Sequence, residues 1–205
     1  MKNWFIVLEG IDGSGTSTQA NLLRDYFISQ GKKAAVSPEP SGGLIGKLLR
    51  EFLSAKELFD SPLKFDEQMA YLFAADRHYH LYNNLDGVYK LISQKIHVIS
   101  TRYYFSSLAY NSKSKEDFQF VWSLNRKFPA PDLVIYVELP VEVALERIGD
   151  RSHKEIYETP SKLSQVKQNF ESIFATYHGK LLTVDGTKSK LQIHQDIIDF
   201  IGQLK

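Results

Sequence analysis

The sequence predicts an α/β fold, a five-stranded parallel sheet with helices on both faces. Three observations predict it. Short apolar runs alternate with longer amphipathic segments from end to end. The runs "WFIVLE" and "DLVIYVEL" are rich in β-branched and aromatic residues, as strands buried on both faces are. A glycine-rich loop joins the first run directly to the first helical pattern.

In chain order, Trp4 to Glu9 is the first strand, and "STQANLLRDYFISQG" is a helix with Ala20, Leu23, Tyr26 and Phe27 on its apolar face. Gly31 is a natural stop for it. "KKAAVS" is a weak second strand, "LIGKLLREFL" a short helix, and a long helix starts near Phe65. Ile96 to Ser100 is the third strand, and "KEDFQFVWSLNRKF" is helical. Asp132 to Leu139 is the fourth strand, followed by a helix with Pro140 near its first position. Leu181 to Asp185 is the fifth, and a helix from about Lys188 closes the pattern. Between Arg147 and Ser161 the chain is polar, charged and aperiodic, so a mobile segment is expected there.

The 205 residues suffice for one large domain spanning 1–205. A net charge of +1 gives no global argument for nucleic acid or an anionic membrane. The absence of cysteine excludes disulfides, thiol catalysis and cysteine-bound metal. No apolar run approaches a membrane span, and the first strand begins almost at Met1, so a cytoplasmic protein is expected. His78 and His80 fall on different helix faces, against the i, i+4 spacing of a helical metal pair.

"GIDGSGTS" matches the phosphate-binding loop G-x-x-x-x-G-K-[ST] at Gly10, Gly15 and Ser17. With the flanking strand and helix, it points to a P-loop nucleotide triphosphatase fold. Gly10, Gly13 and Gly15 let backbone N–H groups converge on phosphate oxygens. Gly10, Ile11, Asp12, Gly13, Ser14, Gly15, Thr16, Ser17 and Thr18 are therefore the candidate triphosphate cradle, and Ser17 places a hydroxyl for Mg²⁺. Thr16 replaces the lysine, offering a hydroxyl and no charge. Losing one preorganised donor of this kind costs roughly 10²–10³ in rate unless another cation substitutes. Arg102 lies just past the third strand, the edge at which open α/β sheets bind ligands, and arginine suits phosphate.

Several segments in order, "FIVLEGIDGSG", "PEPSGGLIGKLLREFL", "LFAADR", "TRYYFSSLAYN" and "PDLVIYVELPVEVALERI", resemble the thymidylate kinase family over nearly the whole chain. The resemblance implies phosphoryl transfer from ATP to dTMP with Mg²⁺, a homodimer, and no nucleic-acid or membrane partner. It implies that Phe73 stacks on thymine and Arg77 bonds the base edge; their i, i+4 spacing puts both on one helix face. It assigns the dTMP phosphate to Arg102, the base and sugar to Ser107 and Tyr110, and an acceptor-side acidic role to Glu39. Asp12 joins the same acceptor site, and Arg50 is a further phosphate candidate. The stretch at about 147–160 becomes a lid over ATP. Arg151 first, then Arg147, is expected to supply transition-state charge with Arg102, Lys154 being a further lid cation.

The family's D-R-Y segment reads Thr101-Arg102-Tyr103. Thr16 and Thr101 together remove one positive and one negative charge, which leaves the net charge of the site unchanged. A nucleotide-binding homologue without transferase activity, and a kinase for another deoxynucleoside or nucleoside monophosphate, are the alternative readings.

Overall fold

The computed structural model describes residues 3–54, 61–149 and 157–204. Five strands form one parallel sheet: β1 (Phe5–Glu9), β2 (Lys33–Val36), β3 (Ile96–Thr101), β4 (Leu133–Glu138) and β5 (Leu181–Asp185). Their spatial order is β2-β3-β1-β4-β5. The strand that feeds the glycine loop is central, with Leu8 paired to Thr101 on one side and to Ile135 on the other.

Residue alternation explains why the central strands are apolar at successive positions. Phe5 and Val7 pack into one core layer with Val134 and Tyr136. Ile6 and Leu8 pack into the other with Leu133, Ile135 and Val137. Side chains of a strand alternate between faces, so a sheet covered on both sides needs apolar residues at every position. The edge strand β2 is only half buried, which is why "KKAAV" reads weakly.

Helices α1 (Thr16–Ser29) and α9 (Lys190–Gln203) cover one face. The other carries α2 (Leu44–Ser54), α3 (Pro62–Tyr82), α4 (Val88–Ser93), α5 (Tyr104–Tyr110), α6 (Lys115–Asn125), α7 (Val141–Gly149) and α8 (Pro160–Ala175). Some elements differ from expectation. The long helix begins at Pro62 rather than Phe65. The polar stretch gives way to α8, which buries Leu163, Val166, Phe170, Ile173 and Phe174 at helical spacing. Its N-cap is Thr159, whose hydroxyl accepts from the Lys162 N–H.

Candidate active site

The loop after β1 turns sharply at two glycines in left-handed conformation, Gly13 (φ 83°) and Gly15 (φ 93°). A Cβ on Gly13 would meet the Ala144 carbonyl oxygen at 2.7 Å, so the loop lies flush against α7. Gly15 is the N-cap of α1 and brings no side-chain cap, which leaves first-turn N–H groups for an anion. The Ser14 hydroxyl is buried in this loop with no partner among the described residues. Thr16, Ser17 and Thr18 open α1, with Ser17 and Thr18 exposed. The Ile11 side chain is core, and only its backbone serves the loop, its carbonyl accepting from the Ser14 N–H at 3.1 Å.

Such a loop favours phosphate through its geometry, not through charge. Arg147, in the last turn of α7, brings a cation to it. Its Nη2 donates to the Gly186 carbonyl at 3.0 Å and its Nη1 reaches the Gly13 carbonyl at 3.5 Å. Arg151 and Lys154 lie outside the described residues.

Arg102 follows β3 directly and takes a left-handed backbone, φ 70°, which is uncommon for a side chain other than glycine. Its backbone N–H donates to the Leu8 carbonyl at 2.9 Å, so the strained residue is pinned to β1. Its guanidinium pairs with Asp12 and donates to Ser106 Oγ at 3.1 Å. Tyr110 completes the arrangement: its hydroxyl donates to Asp12 Oδ2 at 2.8 Å, accepts from the Asp12 N–H at 3.1 Å, and its ring lies 4.9 Å beneath the guanidinium. Burial works against the Arg102 charge, but Asp12, Tyr110 and Glu9 together outweigh it and its pKa is raised. Burial pushes the Tyr110 phenol up, keeping it protonated at neutral pH.

Behind Ser106 sits Glu9, fully buried at the end of β1. It accepts from the Tyr103 N–H at 2.8 Å, the Ser106 N–H at 3.3 Å and the Ser106 hydroxyl at 2.5 Å. Burial raises its pKa to about 7 despite these bonds and the Arg102 charge.

A second buried network lies across the same cavity. Arg77 Nε and Nη2 donate to one oxygen of Glu39 at 3.0 and 2.7 Å. Its Nη2 also donates to Ser107 Oγ at 3.0 Å, and its Nη1 to Asn125. The other Glu39 oxygen meets His80 Nδ1 at 3.1 Å, and His80 Nε2 lies 2.7 Å from Ser37 Oγ. The carboxylate only accepts, so Nδ1 carries the proton. The loop bearing Glu39 is further held by Asp76, which accepts from the Ser41 N–H and hydroxyl, both at 2.6 Å. Arg50 donates to the carbonyls of Pro40, Ser41 and Gly46 and so braces this loop.

One cavity joins the two networks. Asp12, Glu39, Arg50, Phe73, Arg77, Arg102, Ser107 and Tyr110 all line it, so the acceptor-side residues expected from the sequence come together. Ser106, Asn111 and Tyr157 line it too. Tyr157 donates to Asp66 Oδ1 at 2.9 Å, fastening the chain just before α8 to α3. His78 is exposed and His80 buried, as their spacing implied. Glu9, Asp76, Ser106 and Asn125 were not singled out by the sequence, and His80 was weighed there only as half of a metal pair; its helical position three beyond Arg77 was the signal for the role it has here.

The sheet order, the loop after the central strand and the cavity beside it define a P-loop nucleotide-binding enzyme. A sequence profile of the family described as thymidylate kinase matches residues 8–197. A Methanococcus aeolicus protein named "Probable thymidylate kinase" is 37% identical over 201 residues, covering 96% of this chain and 94% of that one. One from Thermococcus gammatolerans with the same name is 36% identical over 203 residues, covering 97% and 96%. The chain belongs to the thymidylate kinase family.

Proposed function

We propose that the protein transfers the γ-phosphoryl group of ATP to dTMP, giving dTDP and ADP. The observation that carries the reading is one cavity whose lining brings a phosphate-suited arginine, Arg102, together with Phe73, Arg77 and Ser107. Arg102 with Tyr110 and Asp12 holds the acceptor phosphate and sugar. Phe73 offers a face to the pyrimidine. Arg77 has five N–H donors, of which four are used by Glu39 twice, Asn125 and Ser107, which leaves one on Nη1 for a base carbonyl.

On the donor side, the N–H groups from Gly10 to Thr18 cradle the ATP phosphates. Among the described residues no group of three or more His, Cys, Asp or Glu could hold a metal. The exposed Ser17 hydroxyl suits Mg²⁺, which commonly takes few protein ligands and is held largely by substrate phosphates. Bound there, the ion would neutralise charge on the phosphates. Arg147, with Arg151 from the lid at about 147–160, supplies the charge that Thr16 lacks. Catalysis is then alignment plus charge stabilisation, without a covalent enzyme intermediate.

The reading treats 1–205 as one catalytic domain in the cytoplasm, acting as a homodimer. Exposed apolar rings on α3 and α6, Tyr71, Phe118 and Trp122, favour self-association. The test is acceptor choice. With ATP and Mg²⁺, dTMP is expected to exceed dCMP and unphosphorylated thymidine by at least about 10²-fold in kcat/KM, because an unmatched polar group in a buried site is expensive. Equal use of dCMP would contradict it.

A further inference from the structure

Glu9 is a fully buried carboxylate for which the reaction above has no use. It does not touch the cavity. It touches Ser106, which does, and Ser106 in turn accepts from Arg102. The polarity of this chain is fixed while Glu9 is ionised: Arg102 donates to Ser106, and Ser106 donates its only hydroxyl proton to Glu9 Oε2. In that state Ser106 presents no donor to the cavity.

The charges around Arg102 already lean negative while Glu9 is ionised. Asp12 pairs with it directly, and Glu9 sits behind Ser106. A phosphate dianion arriving at Arg102 would add to two carboxylates around one guanidinium. Like charges in a buried site cannot all remain ionised. Asp12 is partly exposed, whereas Glu9 is sealed from water. Among the described residues, the titratable groups that interact with Glu9 beyond Arg102 are Tyr104 on α5 and Tyr136 on β4, both with pKa values raised chiefly by burial and so neutral. Glu9 is the group free to take a proton.

Resting on the reading of the cavity as a dTMP site, we infer that Glu9 is a positioning residue for the acceptor phosphate, taking up a solvent proton as the phosphate binds and thereby turning the Ser106 hydroxyl into the cavity. Protonated Glu9 donates from Oε2 to Ser106 Oγ. Oε1 continues to accept from the Tyr103 and Ser106 N–H groups. The Ser106 proton, released from Glu9, then points to a phosphate oxygen while Ser106 still accepts from Arg102. The pKa of about 7 in the free protein places the exchange within reach at physiological pH. A glutamine at this position mimics the protonated form, because its amide N–H donates where the acid would and its carbonyl accepts from the same backbone groups.

The test is calorimetric titration of dTMP at about pH 8 without ATP or Mg²⁺, in two buffers of different ionisation enthalpy. Near this pH the dTMP phosphate, with its second pKa about 6, is already a dianion and contributes no proton change. The wild type is expected to take up about half a proton or more per dTMP bound. Glu9→Gln is expected to bind dTMP at least as tightly with no uptake, which a merely structural glutamate would not produce. Binding with no uptake in the wild type, or equal uptake in Glu9→Gln, would overturn the inference and leave the dTMP site intact. Absence of dTMP binding by the wild type would overturn both.

Discussion

Arg77 and Glu39 form a buried ion pair across 38 residues of sequence, each side chain 1% exposed, with both Nε and Nη2 directed at the same carboxylate oxygen. A charge pair so enclosed is held by its geometry, and removing one partner strands the other. Glu39→Ala is expected to cost about 3–5 kcal/mol of folding stability. Urea denaturation measures it. A loss below about 1 kcal/mol would mean that water or another group takes up the Arg77 charge.

His80 extends that pair to Ser37 and makes the arrangement sensitive to a residue outside the cavity. His80→Leu leaves the Ser37 hydroxyl and one Glu39 oxygen without their partner. The expected penalty is about 1–3 kcal/mol. The KM for dTMP should rise while that for ATP stays unchanged, since nothing in this network reaches the phosphate loop. Equal changes in both would place the effect elsewhere.

How much of this was legible beforehand follows from the range of each interaction. The strands could be read because sheet burial on both faces leaves a local mark, an unbroken apolar run such as Leu133 to Val137. Phe73, Arg77, Arg102 and Tyr110 could be placed in one cavity because family resemblance carries long-range information that local pattern lacks. The networks behind them could not. Glu9 meets Ser106 across 97 residues, and Arg77 meets Asn125 across 48, with nothing in either local sequence to announce the partner. Helix α8 was missed for a different reason: Leu163, Val166 and Phe170 are spaced through a polar surface that continues the charged stretch before it. The lid role of Arg151 stays a proposal, while Arg147 reaches the Gly13 carbonyl from α7.

The neutral Thr16 makes Arg147 and Arg151 consequential. Each substitution to alanine is expected to lower kcat by about 10²-fold or more, the scale of losing one preorganised charge donor. Thr16→Lys should restore part of the activity of Arg147→Ala, because both cations serve the same phosphates. Steady-state kinetics of the two single variants and the double variant decide it. If Arg147→Ala and Arg151→Ala both turned over like wild type, the lid assignment would be wrong.

Glu9 also shapes the dependence of stability on pH. Burial raises its pKa from 4.5 to about 7 in the fold. Between these values the native state binds more protons than the unfolded chain, so this group makes stability fall as pH rises from 4.5 to 7. The full effect is about 3 kcal/mol, present at low pH and lost above 7. Glu9→Gln carries no such dependence. Its stability relative to wild type should therefore be higher at pH 8 than at pH 5, measured by urea denaturation at both. A constant difference would show that Glu9 ionises normally.

The central claim is the reaction itself. Purified protein with ATP, Mg²⁺ and dTMP should yield dTDP and ADP in equal amounts, resolved by chromatography, and an Arg77→Ala protein prepared in parallel should lose that activity. No dTDP from wild type that still binds dTMP, or equal product from Arg77→Ala, would contradict the account.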